Sequence, residues 1–199
     1  MIVLIEGIIG ATNLGSGKTL YLIRNLVEDF KLGKKIYCNI KIHGIEYQQL
    51  FLEDFLDDTK TDMFKNATVG IDEITLFMDC RHSMQNTFMS YMFLQSRKRK
   101  LNFYLTTQDY TMLDNRLLPY IAIHVTTECI FDKYNNPLKN YRLVTVTDLR
   151  NRLKVTENSF IMNISQWYKY YDTDEIVKPL YRGRQNNVKK VIQGDIPVC

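Results

Sequence analysis

The order of apolar and polar positions along the chain predicts strands alternating with helices. Ile2 to Ile9 is apolar on both sides of any pleat, which predicts a fully buried strand. From Lys18 to Leu32, the residues Leu20, Ile23, Leu26, Val27 and Phe30 recur at three- and four-residue spacing. That is one face of a helix, and Gly33 suits the position past its end. Ile36–Ile42 reads as a second strand. Tyr47–Leu56 has helical spacing at Leu50, Phe51 and Phe55, and an acidic turn follows at Asp57–Asp62. Ala67–Ile71 is a short apolar strand, and Gln85–Gln95 a helix rich in Met and aromatics that runs into Arg97-Lys98-Arg99-Lys100. Then come a strand at Phe103–Thr106, a short helix near Leu113–Leu117 and a strand at Ile121–Thr126.

Such alternation implies crossover units and a mainly parallel sheet, hence an α/β fold. The order changes after residue 127. Cys129–Lys133, the turn Asn135-Asn136-Pro137 and Tyr141–Thr147 predict a hairpin, and a strand at Ser159–Ile164 extends it. Residues 127–164 are therefore expected to form an antiparallel extension at one sheet edge, within a single domain spanning residues 1–180. Residues 181–199 read as a polar, basic tail. No internal repeat or low-complexity linker interrupts this plan.

Composition narrows the class. The chain has 199 residues, 45% of them apolar and 24% charged, which suits a protein with one substantial core. No apolar run approaches the roughly 18 residues of a membrane span. The opening Met1-Ile-Val-Leu-Ile lacks a basic leader and contains Glu6 shortly after, unlike a signal peptide. Cys38, Cys80, Cys129 and Cys199 are far apart, as are His43, His82 and His124. Neither a zinc site, nor a metal cage of protein ligands, nor a disulfide framework is expected, and the cytoplasm is the expected compartment. The net charge of +4 is uneven. Residues 1–80 carry 8 Lys/Arg and 12 Asp/Glu, residues 81–199 carry 18 and 10, and the basic second part hints at a polyanionic partner.

The strongest chemical signal is Thr12-Asn-Leu-Gly-Ser-Gly-Lys-Thr19, between the first strand and the first helix. This is the context of a phosphate-binding loop. Gly15 and Gly17 let backbone N–H groups turn inward around a phosphate, and Lys18 brings positive charge to the β- and γ-phosphates. Thr19 offers a hydroxyl to Mg²⁺, and the helix start presents its positive end. Asn13, Leu14, Gly15, Ser16, Gly17, Lys18, Thr19 and Leu20 form the candidate nucleotide-binding set, with ATP and Mg²⁺ as ligands. The pattern departs from expectation at Thr12, where a Gly is usual.

A phosphate loop needs an acid at the tip of another strand. Ala67-Thr-Val-Gly-Ile-Asp72-Glu73 supplies two: Asp72 on the magnesium side with Thr19, and Glu73 as the base for the attacking water. Adjacent acids of this kind mark ATP-hydrolysing motors. The 53 positions between Thr19 and Asp72 hold a helix, a strand and another helix, which in a motor-type fold places one strand between the two sites. The strand Asn102-Phe-Tyr-Leu-Thr-Thr-Gln108 ends in an amide. Gln108 is the candidate nucleotide sensor, with a turn cap as the plainer reading.

Two readings also stand for Arg97-Lys98-Arg99-Lys100. Cations at a helix C-terminus complement its dipole. Alternatively, Arg97 or Arg99 reaches the γ-phosphate of a neighbouring subunit while others face a nucleic-acid backbone; Arg116 and Arg81 are further candidates. Trp167, Tyr168, Tyr170 and Tyr171 read as core or interface packing before they read as a stacking platform.

Taken together, the motifs resemble the HerA/FtsK superfamily of P-loop motors, in particular its viral genome-packaging ATPases and the zonula occludens toxin-like ATPases. The matching pieces are Gly-Ser-Gly-Lys-Thr at 15–19, Gly33-Lys-Lys-Ile-Tyr-Cys-Asn39, Ile71-Asp-Glu73, Ser96-Arg-Lys-Arg99, Leu105-Thr-Thr-Gln108 and Tyr171-Asp-Thr-Asp-Glu175. The resemblance implies a three-layer RecA-like core of the additional-strand, catalytic-Glu type. It further implies ATP hydrolysis between subunits of a ring, usually a hexamer, that pumps double-stranded DNA. Carried over by position, Lys18 and Thr19 bind phosphate and magnesium, Asp72 holds magnesium, Glu73 is the base, Gln108 senses nucleotide, and Arg97 or Arg99 is the trans finger. Viral capsid or membrane proteins are the further partners implied.

The toxin-like branch normally carries a membrane anchor after the ATPase region, and none is read here, which favours genome packaging in the host cytoplasm. Extrusion of a filamentous virion is the alternative, and a nucleotide-binding regulator without turnover is a third.

Overall fold

The computed structural model describes residues 1–8, 15–51, 54, 62–76, 90–151 and 153–172. Its strands are β1 (Ile2–Gly7), β2 (Lys35–Cys38), β3 (Gln48–Gln49), β4 (Ala67–Ile71), β5 (Asn102–Thr107), β6 (Ile123–Phe131), β7 (Pro137–Asp148) and β8 (Thr156–Asn163). Helix α1 spans Lys18–Lys31, and residues 90–95 are also helical. All eight strands belong to one sheet, in the order β3-β2-β4-β5-β1-β6-β7-β8. The pairs from β3 to β6 are parallel, and β6–β7 and β7–β8 are antiparallel. This is a mainly parallel α/β sheet with an antiparallel edge in the C-terminal third.

The apolar run of β1 is buried throughout because both faces of the sheet are covered. Ile2 and Leu4 point to one face and pack with Phe64, Phe93, Phe103 and Leu105. Val3 and Ile5 point to the other and pack under Leu22, Ile23 and Leu26 of α1. The sheet is thus the middle of three layers. Trp167 and Tyr171 lie 7% and 9% exposed in the second cluster, so these aromatics are packing residues.

Three expectations change. Residues 47–51 are not helical; Leu50 is fully buried and its N–H donates to Cys38 O at 2.8 Å, extending the sheet edge beyond β3. Asp54 is helical, while Phe55 and Leu56 of that expected helix lie outside the described residues, as do 85–89 of the expected Met-rich helix. The strands expected at Ile121–Thr126 and Cys129–Lys133 are one strand, β6, which pairs parallel with β1 on one side and antiparallel with β7 on the other. Leu113–Leu117 is not helical but lies between 3-10 turns at Tyr110–Met112 and Leu118–Tyr120. Asp109 caps the first turn, and Pro119 sits in the second.

The consequence for the site is register. In the parallel block, Gly7 of β1, Asn39 after β2, Asp72 after β4, Thr106 and Thr107 of β5 and Gln108 after it all reach one edge of the sheet. That carboxyl edge is where open α/β sheets bind ligands.

Candidate nucleotide site

The loop from β1 to α1 is described from Gly15 onward; Thr12, Asn13 and Leu14 lie outside the described residues. Gly17 caps α1 at φ +97°, and Gly15 stands at φ +90°. These left-handed angles are ones that side-chain-bearing residues rarely adopt. They leave the first N–H groups of a 14-residue helix facing the carboxyl edge. Ser16 is 3% exposed and its Oγ accepts from Thr127 Oγ1 at 3.4 Å, tying the loop to β6. Leu20 is buried in the core, so only its backbone is available to a ligand.

Gly7 completes the loop from below. A Cβ at Gly7 would lie 2.6 Å from Ser16 Oγ and 3.2 Å from Lys18 Nζ. The Lys18 ammonium therefore rests against the end of β1, and a side chain at Gly7 would run into the buried Ser16 hydroxyl. Its neighbour Glu6 is also buried, 9% exposed, and accepts from Tyr110 N at 3.1 Å and bonds His124 Nε2 at 3.0 Å. Glu6 thereby anchors the loop that follows Gln108.

Thr19 Oγ1 donates to Asp72 Oδ1 and Oδ2 at 3.0 and 3.2 Å. Thr106 Oγ1, from the intervening strand β5, donates to Asp72 Oδ1 at 2.7 Å. Asp72 is 2% exposed and its backbone is held by one side chain: Asn39 Nδ2 donates to Asp72 O, and Asp72 N donates to Asn39 Oδ1, both at 2.8 Å. Burial pushes the Asp72 carboxyl up to about 6; the donors Thr106 and Thr19 and the charge of Lys18 pull the other way, and Glu73 adds to the rise.

Glu73, the next residue, is half-buried with φ +54°, and its N–H donates to Thr106 Oγ1 at 2.8 Å. Gln108 Nε2 donates to Glu73 Oε1 at 3.5 Å. Gly15, Ser16, Gly17, Lys18, Thr19, Asp72, Glu73 and Gln108 thus share one edge. Arg97 and Arg99 do not. They precede β5, at its opposite end, and six residues of strand are about 20 Å. Arg97 lines a cavity of about 740 Å³ there with Lys34, Lys100 and Arg150, and Arg99 lies 3.8 Å from Asp62. Arg116 is bound bidentately by Asp114, and Arg81 lies outside the described residues.

The donor set suits a hard cation. Hydroxyl and carboxylate oxygens of Thr19 and Asp72 converge, and Mg²⁺ takes few protein ligands, keeping water and phosphate oxygens for the rest. Among the described residues there is no cluster of three or more His, Cys, Asp or Glu that forms a cage.

The burial of Asp72 makes the stability of the metal-free protein depend on pH. In metal-free protein the folded carboxyl is protonated below about 6, whereas the unfolded one holds its charge down to about 3.8. The folded state binds more protons between these values, so this group's contribution to stability is present below about 4 and lost as pH rises past 6. Asp72→Asn is expected to stabilise the metal-free protein by about 2 kcal/mol at pH 7, a gain that shrinks towards pH 4. Urea unfolding of both proteins in chelator across that range measures the difference; a gain that grows on acidification contradicts it.

No protein-family model matches the chain, and no curated protein matches it. The fold does match solved structures. The N-terminal domain of zonular occludens toxin from Neisseria meningitidis aligns at 16% identity with a TM-score of 0.57, covering 86% of this chain and 98% of that one. The genome packaging NTPase B204 from Sulfolobus turreted icosahedral virus 2 aligns at 15% identity and a TM-score of 0.51 in its ATP-gammaS complex, covering 79% of this chain and 95% of that one. Its sulfate complex aligns at 14% and 0.52, covering 82% and 97%. The chain therefore shares the fold of these proteins.

Proposed function

We propose that the chain is a magnesium-dependent ATPase that translocates duplex DNA, a genome-packaging motor acting as a ring in the cytoplasm of the host cell. The observation that carries the reading is Asp72, buried and bonded to Thr19 across the site, with Glu73 following directly and Gln108 within reach of it. Nucleotide bound to the packaging NTPase of the same fold supports ATP as the ligand.

On this reading Lys18 neutralises the β- and γ-phosphates, and Thr19 and Asp72 hold the cation. Mg²⁺ supplies charge neutralisation at the phosphate oxygens when bound. Glu73 Oε1 takes a proton from water, and Gln108, bonded to the same oxygen, fixes the rotamer that does so. Arg97 and Arg99 lie at the far edge from their own Lys18, so a phosphate contact by either is a contact to a neighbouring subunit. The basic cavity beside Arg97 supports either a neighbour or a DNA backbone on that face.

Phosphate release from ATP is expected to require Mg²⁺ and to rise several-fold with duplex DNA, and native mass with ATP and Mg²⁺ is expected to show a ring, most simply a hexamer. Release that ignores DNA but responds to coat protein or membrane supports virion extrusion instead. That second reading is favoured by the toxin domain, of which 98% is covered. Among the described residues no helix is long and apolar enough to cross a membrane. Tight ATP binding with no phosphate release removes both readings in favour of a regulator.

A further inference from the structure

Arg142 stands on β7, in the antiparallel extension, 127 positions from Gly15, yet it lies on the phosphate loop. Its Nε donates to Gly15 O at 2.9 Å. One terminal nitrogen donates to the carbonyls of Leu138, Lys139 and Tyr141 at 3.1, 3.1 and 2.7 Å. Its aliphatic stem crosses Gly17, where a Cβ would meet Cγ at 3.0 Å and Cδ at 3.6 Å. Cys129 Sγ, on β6, approaches the same Gly15 oxygen at 3.7 Å. All acceptors of the guanidinium are backbone carbonyls, and among the described residues no carboxylate pairs with it.

The geometry has a direct consequence for the loop. In a trans peptide the C=O of one residue and the N–H of the next point in opposite directions. Drawing Gly15 O towards β7 therefore turns Ser16 N–H away from β7. Successive N–H groups so turned make an anion-binding nest. Gly15 and Gly17, at φ +90° and +97°, have wide backbone freedom of their own, so an outside contact is needed to select one peptide orientation. The carbonyls of Leu138, Lys139 and Tyr141 hold the guanidinium in place to do this.

We propose that Arg142 is a positioning residue that pre-orients the Gly15–Ser16 peptide for phosphate, coupling nucleotide affinity to the antiparallel extension. This rests on the loop being the nucleotide site. Losing the clamp leaves the ligand to order the loop, a cost borne equally by ground and transition states, so affinity falls and turnover at saturation does not.

The test is calorimetric titration of the full chain with ADP and Mg²⁺, for wild type, Arg142→Ala and Arg142→Lys. ATPase kinetics and melting without nucleotide are measured alongside. Arg142→Ala is expected to weaken ADP binding about tenfold and raise KM similarly, with kcat within about threefold. Arg142→Lys is expected to bind as weakly, because one ammonium cannot span Gly15 O and the three other carbonyls as the fork does. Lys restoring wild-type affinity means that the charge alone matters, and overturns the proposal; so does Ala binding within twofold of wild type, whatever its melting temperature. If the Ala variant does not fold, the Lys variant decides. Wild-type protein that binds neither ADP nor ATP overturns the nucleotide-site reading and this inference with it, whereas wild-type binding with unaffected variants overturns this inference alone.

Discussion

Glu73→Gln is expected to lower kcat for ATP by about 10³-fold while leaving ATP affinity and thermal stability unchanged. Gln keeps most of what Glu73 contributes to the fold. It has the same shape, accepts from Gln108 Nε2 through its carbonyl oxygen, and tolerates the same backbone with its N–H on Thr106 Oγ1. What it loses is the ability to take a proton. Phosphate release and nucleotide binding, measured on the same preparation, separate the two effects. A Gln variant that turns over at the wild-type rate removes Glu73 from the base role.

The backbone at Glu73 makes the assignment more specific. A non-glycine residue at φ +54° carries a conformational cost of about 1–2 kcal/mol, and such costs gather at functional sites. The turn survives because Asn39 and Thr106 hold the backbone entering it, and Leu76 N–H donates to Glu73 O at 2.9 Å on its far side. Removing the strain with glycine at 73 would ease the backbone and abolish proton transfer together, so stability and activity would move in opposite directions.

Much of this site was legible in the order of residues, because local chemistry carries it. Gly-Ser-Gly-Lys-Thr between an apolar strand and an amphipathic helix specifies its own geometry, and Asp72-Glu73 at the end of a five-residue apolar strand specifies which edge it reaches. A strand between the two sites is expected of a motor-type fold, but the strand that takes the place, β5, lies after Asp72 in the chain and not in the 53 positions before it. What local sequence does not carry acts over distance. Tyr47–Leu56 has helical spacing, but Leu50 N–H finds Cys38 O at the open sheet edge, and an edge carbonyl has no signature in the spacing of Leu and Phe. Gly7 looks like any strand end until Ser16 and Lys18 fold back onto it. Arg142 reads as one more cation in a basic half, and only the pairing of β6 with both β1 and β7 brings it to Gly15. Asn39 was visible as part of a motif, without a reason for an amide at that position.

The structure supplies that reason, and with it a sharp expectation. Asn39 is 4% exposed and satisfies both the N–H and the C=O of Asp72 at 2.8 Å; it also accepts from Gln49 Nε2 at 3.0 Å through its own carbonyl. Only a side chain that donates and accepts side by side can do this for one residue's backbone. Asn39→Ala strands two buried backbone groups and is expected to cost about 3 kcal/mol of stability and about 10²-fold in kcat, the second because Asp72 and Glu73 lose their fixed orientation. Asn39→Asp is nearly the same size and is expected to be worse at neutral pH. Its carboxylate still accepts from Asp72 N, but it faces Asp72 O with a lone pair and adds a buried charge beside a carboxyl already pushed up to about 6. Protonating the new carboxyl restores a donor, so the Asp variant should recover stability relative to Ala as pH falls, and denaturant unfolding of both from pH 7 to 5 reads this crossing directly. If Asp and Ala stay parallel across that range, the amide is a space-filler and the clamp on Asp72 must be sought elsewhere.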